Sequence, residues 1–196
     1  MAELYVLDIT KLGEEDLARW CGEMDENSRF RVDAMRNPHR RRASIAGDHL
    51  ARTALAEKSG KAPREIVICR EESGKPYAAE GCFSISHSGE CVVCAVSDKA
   101  VGVDVERIRP IRLRVAQRYF TEAERQWMQE DELRFWQIWT GKEALCKRTG
   151  EGLAGLRNCD TLHPPFGVVL TTTVRDGYAI TVAEGELTTP KKGTIL

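Results

Sequence analysis

The stretch between residues 83 and 106 constrains the fold most. It holds three apolar-rich runs of strand length, at 83–86, 91–96 and 101–106, separated by polar turns. The middle run, CVVCAV, has no polar position at all, which is the pattern of a strand covered on both faces. Before this block, residues 4–9 alternate as a strand. Leu17, Trp20 and Cys21 then give helical spacing to 14–24, and a second short helix is expected at 27–35. Pro38 interrupts, and residues 39–59 form a long amphipathic helix with Ile45, Leu50, Ala54 and Leu55 on its apolar side, stopped by Gly60. A short strand is expected at 66–69, followed by the turn ESGKPY.

After Pro110 the period is helical again. A helix at 113–120 precedes Thr121 and Glu124, a capping-box pair that opens the next one. A long helix at 132–148 carries Phe135, Trp136, Trp139 and Leu145. Residues 166–173 and 178–182 form a hairpin across Arg175-Asp176-Gly177, and the tail TTPKKGTIL is expected to be loose. Each half combines strands with helices. The expected class is α+β, with an N-terminal lobe over 1–100 and a C-terminal lobe over 101–196, and no sequence repeat between them.

Composition narrows the function classes. With 42% hydrophobic and 30% charged residues, the chain has the balance of a soluble globular protein. A formal net charge of −1 argues against a nucleic-acid binder. No apolar run approaches the ~20 residues of a membrane span, and the acidic, alternating N-terminus lacks the basic and apolar regions of a signal peptide. The seven cysteines are irregularly spaced among apolar neighbours, as small hydrophobes in a reducing cytoplasm would be. Cys91 and Cys94 form a CxxC. They are assigned to the buried strand and not to zinc or redox chemistry, since no second CxxC or histidine pair completes a site.

Charge is unevenly spread. Residues 28–64 are crowded with arginine, including Arg31, Arg36, Arg40, Arg41 and Arg42, against only Asp33, Asp48 and Glu57. Residues 107–118 add Arg107, Arg109, Arg112, Arg114 and Arg118 with no acid between them. Two readings stand side by side: solvated helix faces, or cations for a polyphosphate ligand or an acidic partner.

Three segments could carry chemistry. In Gly102-Val103-Asp104-Val105-Glu106, strand alternation puts Asp104 and Glu106 on one face and the valines on the other. Paired carboxylates repel unless neutralised, by a hard divalent cation such as Mg²⁺ or by Arg and Lys on an exposed strand. In the helix, Trp136, Trp139, Glu143 and Lys147 share a face, so that Glu143 and Lys147 sit at the edge of a packed wall. They are either an ordinary i,i+4 pair, or an oxygen ligand and a phosphate counter-charge. In Phe83-Ser-Ile-Ser86-His87-Ser88, Ile85 points to the core, Ser84 and Ser86 point away, and His87 lies at the strand end. These are donors suited to pyrophosphate, or a solvated turn. No G-x-S-x-G or Walker A segment is present.

Taken in order, Gly74-Lys75-Pro76, F-S-I-S-H-S at 83–88, G-V-D-V-E at 102–106 and W-T-G-K-E-A-L-C-K at 139–147 resemble the 4′-phosphopantetheinyl transferases, of the larger type that activates peptide and polyketide synthetases. The segment Arg41-Arg42-Ala-Ser44-Ile-Ala-Gly47-Asp48 resembles the family's early nucleotide-contacting helix. The resemblance implies two similar α/β lobes in one chain, a pseudo-dimer with coenzyme A in the cleft between them. It implies Mg²⁺ held by Asp104, Glu106 and Glu143, and coenzyme A phosphates contacted by Ser86, His87 and Lys147. Lys75 and Pro76 would lie by the adenine, and Arg42 and Ser44 near the 3′-phosphate, where Arg40 or Arg41 could substitute. Asp104, Glu143 and Lys147 would carry catalysis: a serine of an apo acyl or peptidyl carrier protein attacks the β-phosphate, 3′,5′-ADP leaves, and Glu143 or a water it positions takes the proton. Acidic carrier helices would dock on 107–118. A cytoplasmic monomer suffices, with neither membrane nor nucleic acid involved. The alternatives are a Mg²⁺-dependent pyrophosphate hydrolase and a non-catalytic coenzyme A-binding module.

Overall fold

The computed structural model of the chain describes residues 1–187; the TTPKKGTIL tail, and the expectation made for it, lie outside the described residues. The chain opens with β1 (Glu3–Asp8), followed by α1 (Glu14–Glu23), α2 (Glu26–Asp33) and the long α3 (Pro38–Ser59). Both ends of α3 are specified locally. The Asn37 side chain accepts from the Arg40 N–H at 3.0 Å, Pro38 sits in the first turn where an N–H is not needed, and Gly60 at φ 74° closes the helix in the left-handed region. A two-stranded ribbon of β2 (Cys69–Arg70) and β3 (Pro76–Tyr77) comes next, and then the hairpin of β4 (Cys82–Ser88) and β5 (Cys91–Ser97). The strand expected at 66–69 shrinks to β2. Pro63–Glu65 winds a 3-10 turn, and Ile66 and Ile68 are used as buried plugs instead of ladder positions.

Strand, three helices and a hairpin then follow a second time. A strand, β6 (Val101–Arg107), leads into α4 (Leu113–Tyr119), α5 (Glu122–Met128) and the long α6 (Glu132–Thr149). A 3-10 segment, Gly152–Arg157, then precedes a closing hairpin of β7 (Val169–Arg175) and β8 (Tyr178–Glu184). The capping box is formed: the Glu124 N–H donates to the Thr121 hydroxyl at 3.1 Å, and the Glu124 carboxylate accepts from the Thr121 N–H at 2.7 Å. The hairpin starts later than residue 166, because Phe166 is 96% exposed and stands outside the sheet. The three strands expected in succession are divided: β4 and β5 belong to an antiparallel sheet of order β1-β5-β4, whereas β6 founds a second antiparallel sheet of order β6-β8-β7.

The two sheets share a core. Cys91, Val93 and Ala95 of β5 pack against Val101, Val103 and Val105 of β6 and Ile180 of β8. On the other face of β5, Val92, Cys94 and Val96 meet apolar residues of α3. CVVCAV is therefore covered on both sides, as its lack of polar positions predicts. Cys91 and Cys94 lie on opposite faces, and burial pushes their thiols up to about 11 and about 12, so both stay protonated.

Two contacts fix how β6 sits against its neighbours. α6 lies directly on β6 because Gly102 has no side chain: a Cβ there would sit 2.5 Å from the Arg148 backbone nitrogen and press on the Ala144 carbonyl. Between the halves, β4 runs beside β6 with hydroxyls in place of a backbone ladder. Ser84 accepts from the Val103 N–H at 3.1 Å, Ser86 donates to Asp104 at 2.8 Å, and Ser88 donates to Glu106 at 2.7 Å while accepting from the Arg107 N–H at 3.3 Å. Among the described residues, no helix is long and apolar enough to cross a membrane.

Candidate active site

The side chains that close the gap between β4, β6 and α6 are those singled out by motif. Alternation along β6 turns Gly102, Asp104 and Glu106 toward α6, and the glycine lets that helix come close enough for its Lys147 to reach the strand. The Lys147 ammonium donates to Asp104 Oδ1 at 2.7 Å and to the Ser86 hydroxyl at 2.8 Å. Asp104 is 5% exposed, and its other oxygen, Oδ2, is buried with no protein partner. A buried carboxylate oxygen without a donor is costly, so this atom waits for a cation or a donor that the protein itself does not supply.

Glu106 and Glu143 share the region's negative charge. Burial first, then the charge of Asp104, raises the Glu106 carboxyl above its ordinary range, while Ser88, the Trp139 indole and Arg112 pull it back. Burial and the charges of Asp104 and Glu106 push Glu143 up to about 7, against the opposing pull of Lys147. A carboxyl poised near neutrality is suited to exchange a proton. Among the described residues, no three His, Cys, Asp or Glu side chains are drawn tightly enough together to enclose an ion as they stand.

His87 follows Ser86 on β4. Loss of solvent around its ring, then the charges of Lys147, Arg40 and His39, lower its pKa and keep it neutral at pH 7. It lines a cleft of about 540 Å³ with Arg31, Arg36, Asn37, Arg40 and Ser44. Ser44 lines this cleft, and Arg42 does not. Arg42 turns to the opposite side of α3, donating to the Ile9 carbonyl at 3.2 Å, to Glu14 at 3.0 Å and to the Leu12 carbonyl, which ties α3 to the chain after β1. Arg31, Arg36 and Arg40 line the cleft instead. They belong to the basic segment of the sequence, but only the seating of α2, α3 and the turn between them brings these members to one cleft.

Lys75 and Pro76 line a second cleft of about 200 Å³, together with Gly74, Ser84, Cys146 and Lys147. The Lys75 ammonium donates to the Arg148 carbonyl at 2.5 Å, and burial lowers its pKa. Within the same helical motif, Lys142 has a structural role: fully buried, it pairs with the equally buried Glu124 at 2.8 Å and donates to the Cys159 carbonyl. The structure therefore brings Ser86, Asp104 and Lys147 into direct contact, and sets Glu106, Glu143 and His87 within their electrostatic reach. Lys75 and Pro76 flank one side, Ser44 the other, and Arg42 stands apart.

The sequence profile of the 4′-phosphopantetheinyl transferase superfamily matches residues 100–190. The 4′-phosphopantetheinyl transferase HetI of a Nostoc species is 30% identical over 166 residues, covering 78% of this chain and 70% of the relative. The chain belongs to the 4′-phosphopantetheinyl transferase superfamily. A 4′-phosphopantetheinyl transferase of Bacillus subtilis is 36% identical over 152 residues, covering 72% of this chain and 66% of the relative. The transferase psf-1 of Bacillus pumilus is 35% identical over 137 residues, covering 66% and 56%. The chain thus spans between 56% and 66% of the length of these two superfamily members. The superfamily profile takes in Asp104, Glu106, Glu143 and Lys147, whereas Lys75, Ser86 and His87 precede it.

Proposed function

We propose that this chain transfers the 4′-phosphopantetheine group of coenzyme A to a serine of an apo acyl or peptidyl carrier protein, releasing 3′,5′-ADP. The observation that carries this reading is the Ser86–Asp104–Lys147 contact with its buried, unpartnered carboxylate oxygen, beside a glutamate poised at about 7. The two-lobed arrangement, divided near residue 100, is supported by the matching strand orders β1-β5-β4 and β6-β8-β7.

The donor set fits a hard divalent cation. Asp104 Oδ2 lacks a partner, and the strain of crowded carboxylates on Glu106 and Glu143 is what such a cation relieves. Asp104, Glu106 and Glu143 would hold Mg²⁺, which supplies neutralisation of charge growing on the pyrophosphate. The protein's own residues do the rest. Lys147 offers a cation to the β-phosphate, and neutral His87 donates a ring N–H to a phosphate oxygen. The adenine lies by Lys75 and Pro76, and the 3′-phosphate by Arg31, Arg36, Arg40 and Ser44. The carrier serine oxygen bonds to the β-phosphorus, the anhydride P–O bond breaks toward 3′,5′-ADP, and the serine proton passes to Glu143.

Intact-mass spectrometry of an apo carrier protein with this chain, coenzyme A and Mg²⁺ tests the reading. A phosphopantetheine adduct is expected, lost with Asp104→Ala and with EDTA. Coenzyme A cleaved with no adduct would replace this reading by a hydrolase, and coenzyme A bound but intact on several carriers would replace it by a binding module.

A further inference from the structure

We propose that Cys146 and Cys159 are a reversible dithiol–disulfide pair, a modification site closed by thiol–disulfide exchange with a small disulfide such as oxidised glutathione. Cys146 lies near the end of α6, and Cys159 comes after the 3-10 segment Gly152–Arg157. Thirteen positions apart in sequence, their Sγ atoms are 3.6 Å apart, and among the described residues no other two thiols touch. A small approach brings them to the ~2.05 Å of a disulfide. The CxxC of β5 has no such geometry, since its thiols point to opposite faces of one strand.

The two thiols are unequal in the way an exchange reaction needs. Cys159 is part-exposed, and the hydrogen bond from Cys146, helped by the Lys142 ammonium, favours its thiolate. Cys146 is buried, and its hydrogen bond to Cys159, then burial, pushes its thiol up. The Cys159 thiolate attacks one sulfur of glutathione disulfide, forming a mixed disulfide and expelling one glutathione thiolate. Cys146 then gives its proton to solvent and attacks the Cys159 sulfur, expelling the second glutathione. Two protein thiols are oxidised, one glutathione disulfide is reduced to two thiols, and no further oxidant is needed. The bond ties the end of α6, next to Lys147 and to the cleft that Cys146 lines, to the carbonyl that holds Lys142. The site is independent of the transfer activity proposed above, and its test reads mass alone.

The full chain is incubated with excess oxidised glutathione, then analysed by intact mass and by peptide mapping without reduction. The expected result is loss of two hydrogens, one crosslinked peptide pair holding Cys146 and Cys159, and full reversal by dithiothreitol. Cys146→Ser should stop at a glutathione adduct on Cys159. Because Cys146 is buried and its replacement can disturb folding, Cys159→Ala serves as the second variant: it should show native circular dichroism and no crosslink. The proposal is overturned if Cys146 and Cys159 are both still alkylated by iodoacetamide on unfolding the treated protein. A crosslink joining another pair, such as Cys69 and Cys82, would overturn it equally.

Discussion

Asp104 concentrates the site's electrostatics in one side chain. One of its oxygens is held by Ser86 and Lys147, and the other is buried and open. Lys147→Ala removes this cation while leaving the carboxylates in place. We expect a kcat for carrier modification lower by about a hundredfold, the scale of losing one preorganised charge partner, with a much smaller change in KM for the carrier. Equal losses in kcat and in carrier binding would contradict this role. Glu143 adds a pH signature. Its folded-state pKa of about 7 lies above the unfolded value of about 4.3. Between these values the folded chain holds more protons than the unfolded chain, so the contribution of Glu143 to stability falls as pH rises through that window. In EDTA, the Tm of the wild type minus that of Glu143→Gln should therefore decrease between about pH 5 and pH 8. Added Mg²⁺ should restore the wild type at the upper end. A difference that grows with pH would show that Glu143 is not buried among like charges.

Elements decide which of these residues meet, and here the sequence is legible to different depths. Each strand and helix carries its own period, so the alternation of Asp104 and Glu106 with Val103 and Val105, and the face shared by Trp139, Glu143 and Lys147, are read correctly. What the period cannot supply is phase against a neighbour. Arg40, Arg41 and Arg42 are chemically identical, and positions two apart on a helix point about 200° from each other. Only the seating of α3 makes Arg40 line the cleft while Arg42 reaches back to Ile9 and Leu12. The cysteines make the same point: the local CxxC is inert, whereas the pair in contact is separated by a helix end and a 3-10 segment that no short pattern spans. Gly102 turns this into a prediction. Gly102→Ala pushes the α6 backbone off β6 and should cost about 1–3 kcal/mol, seen as a Tm lower by several degrees, with activity lost in step as Lys147 is carried away from Asp104. On α4, Arg114 is exposed beside the 52% exposed Leu113, whereas Arg112 also stacks over Trp136 at 6.0 Å. Arg114→Glu is thus the cleaner probe of an acidic carrier's docking face. A severalfold rise in carrier KM with unchanged coenzyme A affinity is expected, and an unaltered KM would remove α4 from the interface.

At the scale of the whole molecule, the two halves share one of their core clusters. The cluster of Cys91, Val93 and Ala95 with Val101, Val103, Val105 and Ile180 is assembled from both sheets. The halves should therefore unfold together. Trp20 belongs to the first half, and Trp127, Trp136 and Trp139 to the second. Urea transitions followed by fluorescence in wild type and in Trp20→Phe, and by circular dichroism, should share one midpoint; separated midpoints would mean that the halves are stable apart. The order of elements is readable in the sequence, because each strand and helix carries its own period. How the two sheets face one another is not, since it depends on the serines of β4 meeting the acids and amides of β6. That seam has a mechanical consequence. A backbone ladder is stiff and opens all at once, but hydroxyls swing on single bonds and can trade partners. Along Ser84, Ser86 and Ser88 the molecule is sewn with elastic thread, and a phosphate arriving at Ser86 and Lys147 would pull on a stitch that can stretch without the cloth on either side coming undone.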